Sequence, residues 1–180
     1  MQKLNWKKNV TRHIIFKKQG VIMKYIHYGH DYFDIENFDK ISNNLLWTTK
    51  PKGGFWACQL DSEDNWKNWC LKNEDKEVDL NKYFIFSLRE DSRVLIIDNC
   101  DKLQDLPKTN FGNDVIKRKV CTELDFEQLS KEYDAIEVFI SKDHNLYFEL
   151  YGWDCDSIVI MNPEIIIPEM ENEIHLESEM

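Results

Sequence analysis

Tyr83-Phe84-Ile85-Phe86-Ser87-Leu88-Arg89-Glu90-Asp91-Ser92-Arg93-Val94-Leu95-Ile96-Ile97 is the stretch whose reading decides the fold class. Two runs rich in aromatic and β-branched residues flank four polar ones, so the sequence predicts a β-hairpin here. Working back toward the amino terminus, Lys24 to Tyr28 alternates and predicts a strand. Asp34 to Leu46 carries Ile35, Phe38, Ile41 and Leu45 at helical spacing. Trp47 to Cys58 reads as strand, glycine loop, strand. Asp61, Ser62 and Asp64 are candidate caps for a short helix in which Trp66 and Trp69 share a face. Working forward, Cys100 to Lys119 predicts a polar loop broken at Pro107 and Gly112. Asp125 to Tyr133 predicts a short helix. Strands are then expected over Ala135 to Ile140, Leu146 to Tyr151 and Ser157 to Met161, the last ended by Asn162-Pro163. Six or seven strands and three or four short helices make a single α+β domain with a mostly antiparallel sheet.

The 180 residues, 42% of them hydrophobic, suit one globular core. No apolar run approaches the roughly 20 residues of a membrane span, and the amino terminus lacks a secretory signal, so the expected location is cytoplasmic. Five scattered cysteines without a CxxC pair or a nearby histidine at ligand spacing point to buried small hydrophobes. They do not predict a disulfide framework or a zinc site. Asp143, His144, Asp154 and Asp156 match no closed ligand set, so no metal is expected.

The net charge of −10 is unevenly spread. Met1 to Lys24 holds seven basic residues and no acidic one, while the chain from Glu164 onward holds no Lys or Arg. The division expected is a basic extension over 1–22, a folded domain over 23–168 that opens at Met23, and an acidic tail over 169–180. The basic arm offers contact to the acidic tail, to nucleic acid or to an acidic partner, whereas the body is too acidic to bind phosphate in bulk.

Lys50-Pro51-Lys52-Gly53-Gly54-Phe55-Trp56-Ala57-Cys58 carries the clearest ligand signal. Gly53 and Gly54 permit positive φ and close approach of a ligand to the backbone, Pro51 stiffens the entry, and Lys50 and Lys52 can meet an anion. The plainer reading is a β-turn with solvated lysines. Two further elements belong with it: His27-Tyr28-Gly29 at the end of the first strand, and Tyr133-Asp134-Ala135-Ile136-Glu137-Val138 on a later one.

In this order the three elements resemble the ADP-ribosyltransferase superfamily, in its histidine and glutamate branch. The chain is most similar to a group of uncharacterised bacterial and phage proteins sharing Lys-Pro-x-Gly-Gly-x-Trp, Trp-x-x-Trp-Cys (Trp66 to Cys70), Tyr-Asp-x-Ile-Glu and Trp-Asp-Cys-x-Ser (Trp153 to Ser157) elements, over about Tyr25 to Pro163. The resemblance implies a split, mostly antiparallel sheet with short helices. It also implies NAD as substrate, a protein or nucleic-acid acceptor, and a toxin or effector role with a possible antitoxin or immunity partner.

Glu137 would then stabilise the oxocarbenium-like ribose formed when the nicotinamide bond breaks. His27 would bond a ribose hydroxyl, and the backbone at Tyr28 and Gly29 would hold the amide. Trp56 or Tyr83 would stack on the nicotinamide, while Lys50 and Lys52 would neutralise the diphosphate, with Gly53 and Gly54 admitting it. The chain departs from the commoner pattern in two places. Tyr28 separates His27 from Gly29, and Trp56-Ala57-Cys58 lacks the hydroxyls usual in that strand. A catalytically inactive relative that binds NAD, ADP-ribose or a protein is therefore the alternative. A 2′-phosphotransferase is disfavoured because the cations between Tyr25 and Pro163 form no dense arginine cluster. Trp66, Trp69 and Trp153 read as core.

Overall fold

The structure, a computed structural model, describes residues 22–44, 49–109 and 121–169. The basic and acidic extensions lie almost wholly outside the described residues, as do 45–48 and much of the loop expected after Cys100.

Among the described residues seven strands form one sheet: β1 (Lys24–Tyr28), β2 (Phe55–Gln59), β3 (Tyr83–Leu88), β4 (Val94–Ile97), β5 (Ala135–Val138), β6 (Ser157–Ile160) and β7 (Ile166–Pro168). Their order is β4-β5-β6-β2-β1-β3-β7. Every pairing is antiparallel except β4 with β5. Three short helices accompany them: α1 (Trp66–Asn73), α2 (Phe126–Leu129) and α3 (Asn145–Glu149). The fold class is thus α+β with a mostly antiparallel open sheet.

The hairpin expected over Tyr83 to Ile97 does not form. β3 lies between β1 and β7, with both of its edges taken, and β4 sits at the far edge beside β5. Asp134 explains where β4 goes. Its carboxylate accepts from the Arg93 backbone N–H at 2.9 Å, from both arms of the Arg93 guanidinium at 3.0 Å, and from Asn162 at 3.1 Å. Burial works against the carboxylate's charge, but these bonds outweigh it and hold the group down to about 2. One side chain therefore ties together the ends of β4, β5 and β6.

The short link between β3 and β4 also requires the sheet to curl. Five strand steps of a flat sheet measure about 24 Å, whereas the chain from Leu88 to Val94 reaches at most about 21 Å. On one side Tyr25, Phe84, Phe86, Val94, Ala135, Ile158 and Ile160 form one buried cluster, with Phe33 and Phe55 packed on it. On the other side Leu95, Ile97, Ile136, Val138 and Val159 pack against Leu103, Phe126, Leu129, Leu146, Leu150 and Trp153. β5 is buried on both faces, with Ala135, Ile136 and Val138 fully enclosed.

Two local expectations change. Of the helix expected over Asp34 to Leu46, the described part, 34–44, holds a single 3-10 turn, Ile35–Asn37, because the backbone beyond it is claimed elsewhere, and Leu45 and Leu46 lie outside the described residues. Gly54 N–H donates to the Asp39 carbonyl, and Ser42 exchanges two hydrogen bonds with Lys52. The strand expected over Leu146 to Tyr151 is α3, with Leu146 and Leu150 fully buried one turn apart and Tyr147 and Phe148 exposed.

Candidate functional site

At the centre of the sheet the ladder between β1 and β2 holds only two register pairs, Tyr25 with Gln59 and Ile26 with Cys58. Beyond them the strands part. The His27 ring fills the gap, its Nδ1 lying 2.6 Å from the Trp56 carbonyl oxygen. A carbonyl only accepts, so Nδ1 carries the proton and Nε2 is the acceptor, 3.3 Å from His30 Nδ1. Burial keeps the imidazole below its ordinary pKa and therefore neutral, against the pull of the Trp56 carbonyl.

A cleft of about 310 Å3 opens here, lined by His27, Tyr28, Lys50, Trp56, Trp66 and Asp154 among others. Three features make it a binding site in kind: it is concave, largely apolar, and furnished with a few convergent polar groups. Its walls come from five separated segments, namely the end of β1, Lys50 and Pro51 with β2, the start of α1, Val78, and Asp154 to Ser157. Asn65 caps α1 by accepting from the Asn68 N–H, which fixes Trp66 at the cleft edge and stacks it on Trp69 at 4.8 Å. None of the three residues expected to cap this helix does so. Trp56 leans on the buried Trp153 at 4.8 Å and so belongs to wall and core together.

Lys50 is the cleft's cation. Its Nζ lies 3.5 Å from Asp154 Oδ2, 5.3 Å from the centre of the Trp56 ring and 5.7 Å from that of Trp66. Cys58 and Cys155 are buried at the cleft floor, and burial raises both thiols, so neither is a thiolate nucleophile at neutral pH.

The cleft therefore gathers His27, Tyr28, Lys50 and Trp56 from the expected site. Other expected residues lie elsewhere. Lys52 is exposed and bridged to Ser42. Tyr83 is half exposed, opposite Tyr28 in the ladder. Gly29 has φ +106, and a Cβ there would meet Val78. Gly53 and Gly54 adopt φ near +70, but what stands within 3.0 Å of the Cβ each lacks is the protein itself: the Asp39 and Lys40 carbonyls at Gly53, and Val159 with the Ile160 carbonyl at Gly54. These two glycines let one segment of the chain lie on another.

Glu137 is not among the residues that line the cleft. Gln59 donates to it at 2.8 Å and the Tyr25 hydroxyl at 3.4 Å, in a setting only 5% exposed. Along β2, Gln59 and Ala57 face the Glu137 side while Trp56 and Cys58 face the other, and His27, two residues from Tyr25 and 4.4 Å from Phe55, stands on the Glu137 side of β1 while still lining the cleft. Burial pushes the Glu137 carboxyl up from the ordinary 4.5 to about 7, with the bonds from Gln59 and Tyr25 opposing less strongly. The folded state then holds this proton more tightly than the unfolded chain does. The stability it contributes is complete below about pH 4.5 and is lost as pH rises through 7. Glu137→Gln keeps the shape and cannot ionise. In urea titrations from pH 5 to 8 the natural chain is expected to lose about 1–3 kcal/mol relative to this variant; parallel curves would show that Glu137 does not titrate in this range.

Asp154, Trp66 and Ser157 are the cleft residues the sequence reading passed over. Trp-Asp-Cys-x-Ser is visible as a motif, but the place of its aspartate, Asp154, beside Lys50 depends on a contact 104 positions apart in the chain. Among the described residues no group of three or more His, Cys, Asp or Glu stands close enough to hold a metal ion, and no helix is long and apolar enough to cross a membrane. Compared with protein-family models, curated proteins and solved structures, the chain matches none.

Proposed function

We propose that this protein binds a nucleotide of the NAD or ADP-ribose class in the cleft between the parted ends of β1 and β2. One observation carries the reading: four of the sequence elements singled out as motifs, distant along the chain, meet at a single concavity. The cleft supplies what such a ligand needs. Indoles provide flat apolar surface for a ring, and Lys50 provides charge for a phosphate. Asp154 and the His27 Nε2 acceptor, exposed once His30 turns aside, can receive ribose hydroxyls. At about 310 Å3 the space stands at the small end of ligand pockets, so one half of a dinucleotide fits and the other lies along the surface.

Calorimetric titration of the full chain with NAD and with ADP-ribose tests this. Saturable binding is expected for at least one, weakened about tenfold by Trp66→Ala, whose indole is half-buried and outside the main core. Absence of binding by either nucleotide overturns the reading.

A second reading, ADP-ribosyl transfer with Glu137 as the carboxylate that stabilises the ribosyl cation, is favoured by one specific feature. Glu137, Ile158 and Ala57 stand in one register row, and Ala57 lines the cleft, so the carboxylate is two strand steps from it. Transfer would require Gln59 and Tyr25 to release Glu137 toward the ligand. Nicotinamide release that disappears in Glu137→Gln would establish it; equal release from both proteins, or none from either, counts against it and leaves the binding reading in place.

A further inference from the structure

We infer that the acidic segment 170–180 is the resident partner of the basic segment 1–21 within one chain, and that it holds this arm away from other polyanions. The sequence leaves the arm three partners: the tail, nucleic acid or an acidic protein. The fold favours the first, because it brings the roots of both segments to one corner of the sheet. β1 opens at Lys24 and β7 closes at Pro168. β3 joins them, pairing Ser87 with Lys24 on one side and with Ile167 on the other. The Glu169 N–H donates to the Ile85 carbonyl at 3.1 Å, so backbone bonds carry the chain to this corner. Lys24 Nζ then meets Glu169 Oε2 at 2.7 Å across the intervening strand. An exposed ion pair of this kind contributes little to stability; it marks where the two segments leave the fold.

From that corner the two segments differ in sign. Residues 1–21 hold Lys3, Lys7, Lys8, Arg12, Lys17 and Lys18 with no acid, and residues 170–180 hold Glu171, Glu173, Glu177 and Glu179 with no Lys or Arg. Lys18 stands six positions before Lys24, and Glu171 two positions after Glu169. Each run of charge therefore begins within about 20 Å of an ion pair already closed. Short tethers of this kind give effective concentrations on the order of millimolar, which a dilute outside polyanion does not match. A single pair is weak in water, but six cations facing four carboxylates act as a network. The folded body is acidic too. Its carboxylates, however, are interspersed with cations and in part already paired, as Asp134 is to Arg93 and Asp98 to Lys102. The tail carries no Lys or Arg to compete with the arm.

Zero-length carbodiimide coupling of the full chain at low ionic strength tests this, with unlabelled and isotope-labelled chains mixed so that products within one chain and between two differ in mass. The Lys24–Glu169 pair supplies the internal control. The arm lysines are expected to couple to Glu171, Glu173, Glu177 and Glu179 of the same chain, with a yield that falls as salt rises. Coupling of the arm mainly to carboxylates of the folded body, or to the tail of another chain, overturns the inference. A second measurement uses the full chain carrying Glu171→Gln, Glu173→Gln, Glu177→Gln and Glu179→Gln together, its unaltered thermal melt confirming the fold. This variant is expected to bind a short single-stranded DNA about tenfold more tightly than the natural chain at one ionic strength. Equal affinity would mean that the tail does not shield the arm, and overturns the inference as well.

Discussion

Trp153→Ala is expected to lower the free energy of unfolding by about 3–5 kcal/mol, while Trp153→Phe stays within about 1 kcal/mol of the natural chain. The side chain is fully enclosed, packed among Ile136, Val138, Leu146 and Leu150, and supports Trp56 at 4.8 Å. Truncation to alanine removes the largest enclosed side chain of the core and leaves a void its β-sheet neighbours cannot fill. Phenylalanine loses far less volume. It also removes a liability, because the Trp153 indole N–H is buried with no hydrogen-bond partner among the described residues, and an orphaned donor costs about 1–3 kcal/mol. The two terms offset each other. Urea denaturation of the three proteins measures the difference, and a Phe variant as unstable as the Ala variant would mean that indole shape, not volume, holds this core. Trp153→Ala should also weaken nucleotide binding, since the wall that Trp56 forms has lost its backing.

The strands were legible where alternation or an apolar run was local. Lys24 to Tyr28, Tyr83 to Leu88, Val94 to Ile97 and Ser157 to Ile160 stand as the residue pattern predicts. What pairs with what was not. A polar tetrapeptide between two β-rich runs is good evidence for a turn, yet Arg89 to Ser92 makes a turn that leads away, because Asp134 recruits Arg93 from 41 positions along the chain. Local chemistry cannot announce a partner so distant. α3 was legible in principle. Its aromatic content resembled a strand, but Leu146 and Leu150 repeat at a helical interval, and Asp143 accepts from the Asn145 N–H at the helix entrance. The helix expected after Asp34 failed for the opposite reason: its spacing was right, and tertiary bonds from Gly54 and Lys52 outbid it.

The candidate site divides along the same line. Residues near a strand end or on the glycine loop, namely His27, Tyr28, Lys50 and Trp56, were found because they cluster in sequence with features a ligand needs. Asp154 and Trp66 complete the cleft from elsewhere in the chain. Glu137 shows the limit of reading a strand by alternation. Alternation turns Glu137 away from Ile136 and Val138, but both faces of β5 are buried, so facing away from one core means facing into another.

Gly53→Ala is expected to destabilise the protein by about 3 kcal/mol or more, with loss of ligand binding only to the extent that the protein unfolds. The native φ of +70 already costs an L-residue about 1–2 kcal/mol. The new methyl would stand 2.7 Å from the Asp39 carbonyl oxygen and 2.6 Å from that of Lys40, both backbone atoms rather than movable side chains, and forced overpacking adds about 1–3 kcal/mol. Neither segment can retreat cheaply, because the Gly54 N–H bond to Asp39 and the paired bonds between Ser42 and Lys52 clamp them together on both sides of the clash. The same substitution separates two accounts of this loop. If Gly53 existed to let a ligand approach the backbone, alanine would abolish binding in a protein that still melts normally. With the contact made by Asp39 and Lys40, the melting temperature falls first, and the fraction that remains folded binds as before. Thermal melts and calorimetry on one preparation, at a temperature where most of the variant is folded, read both quantities together.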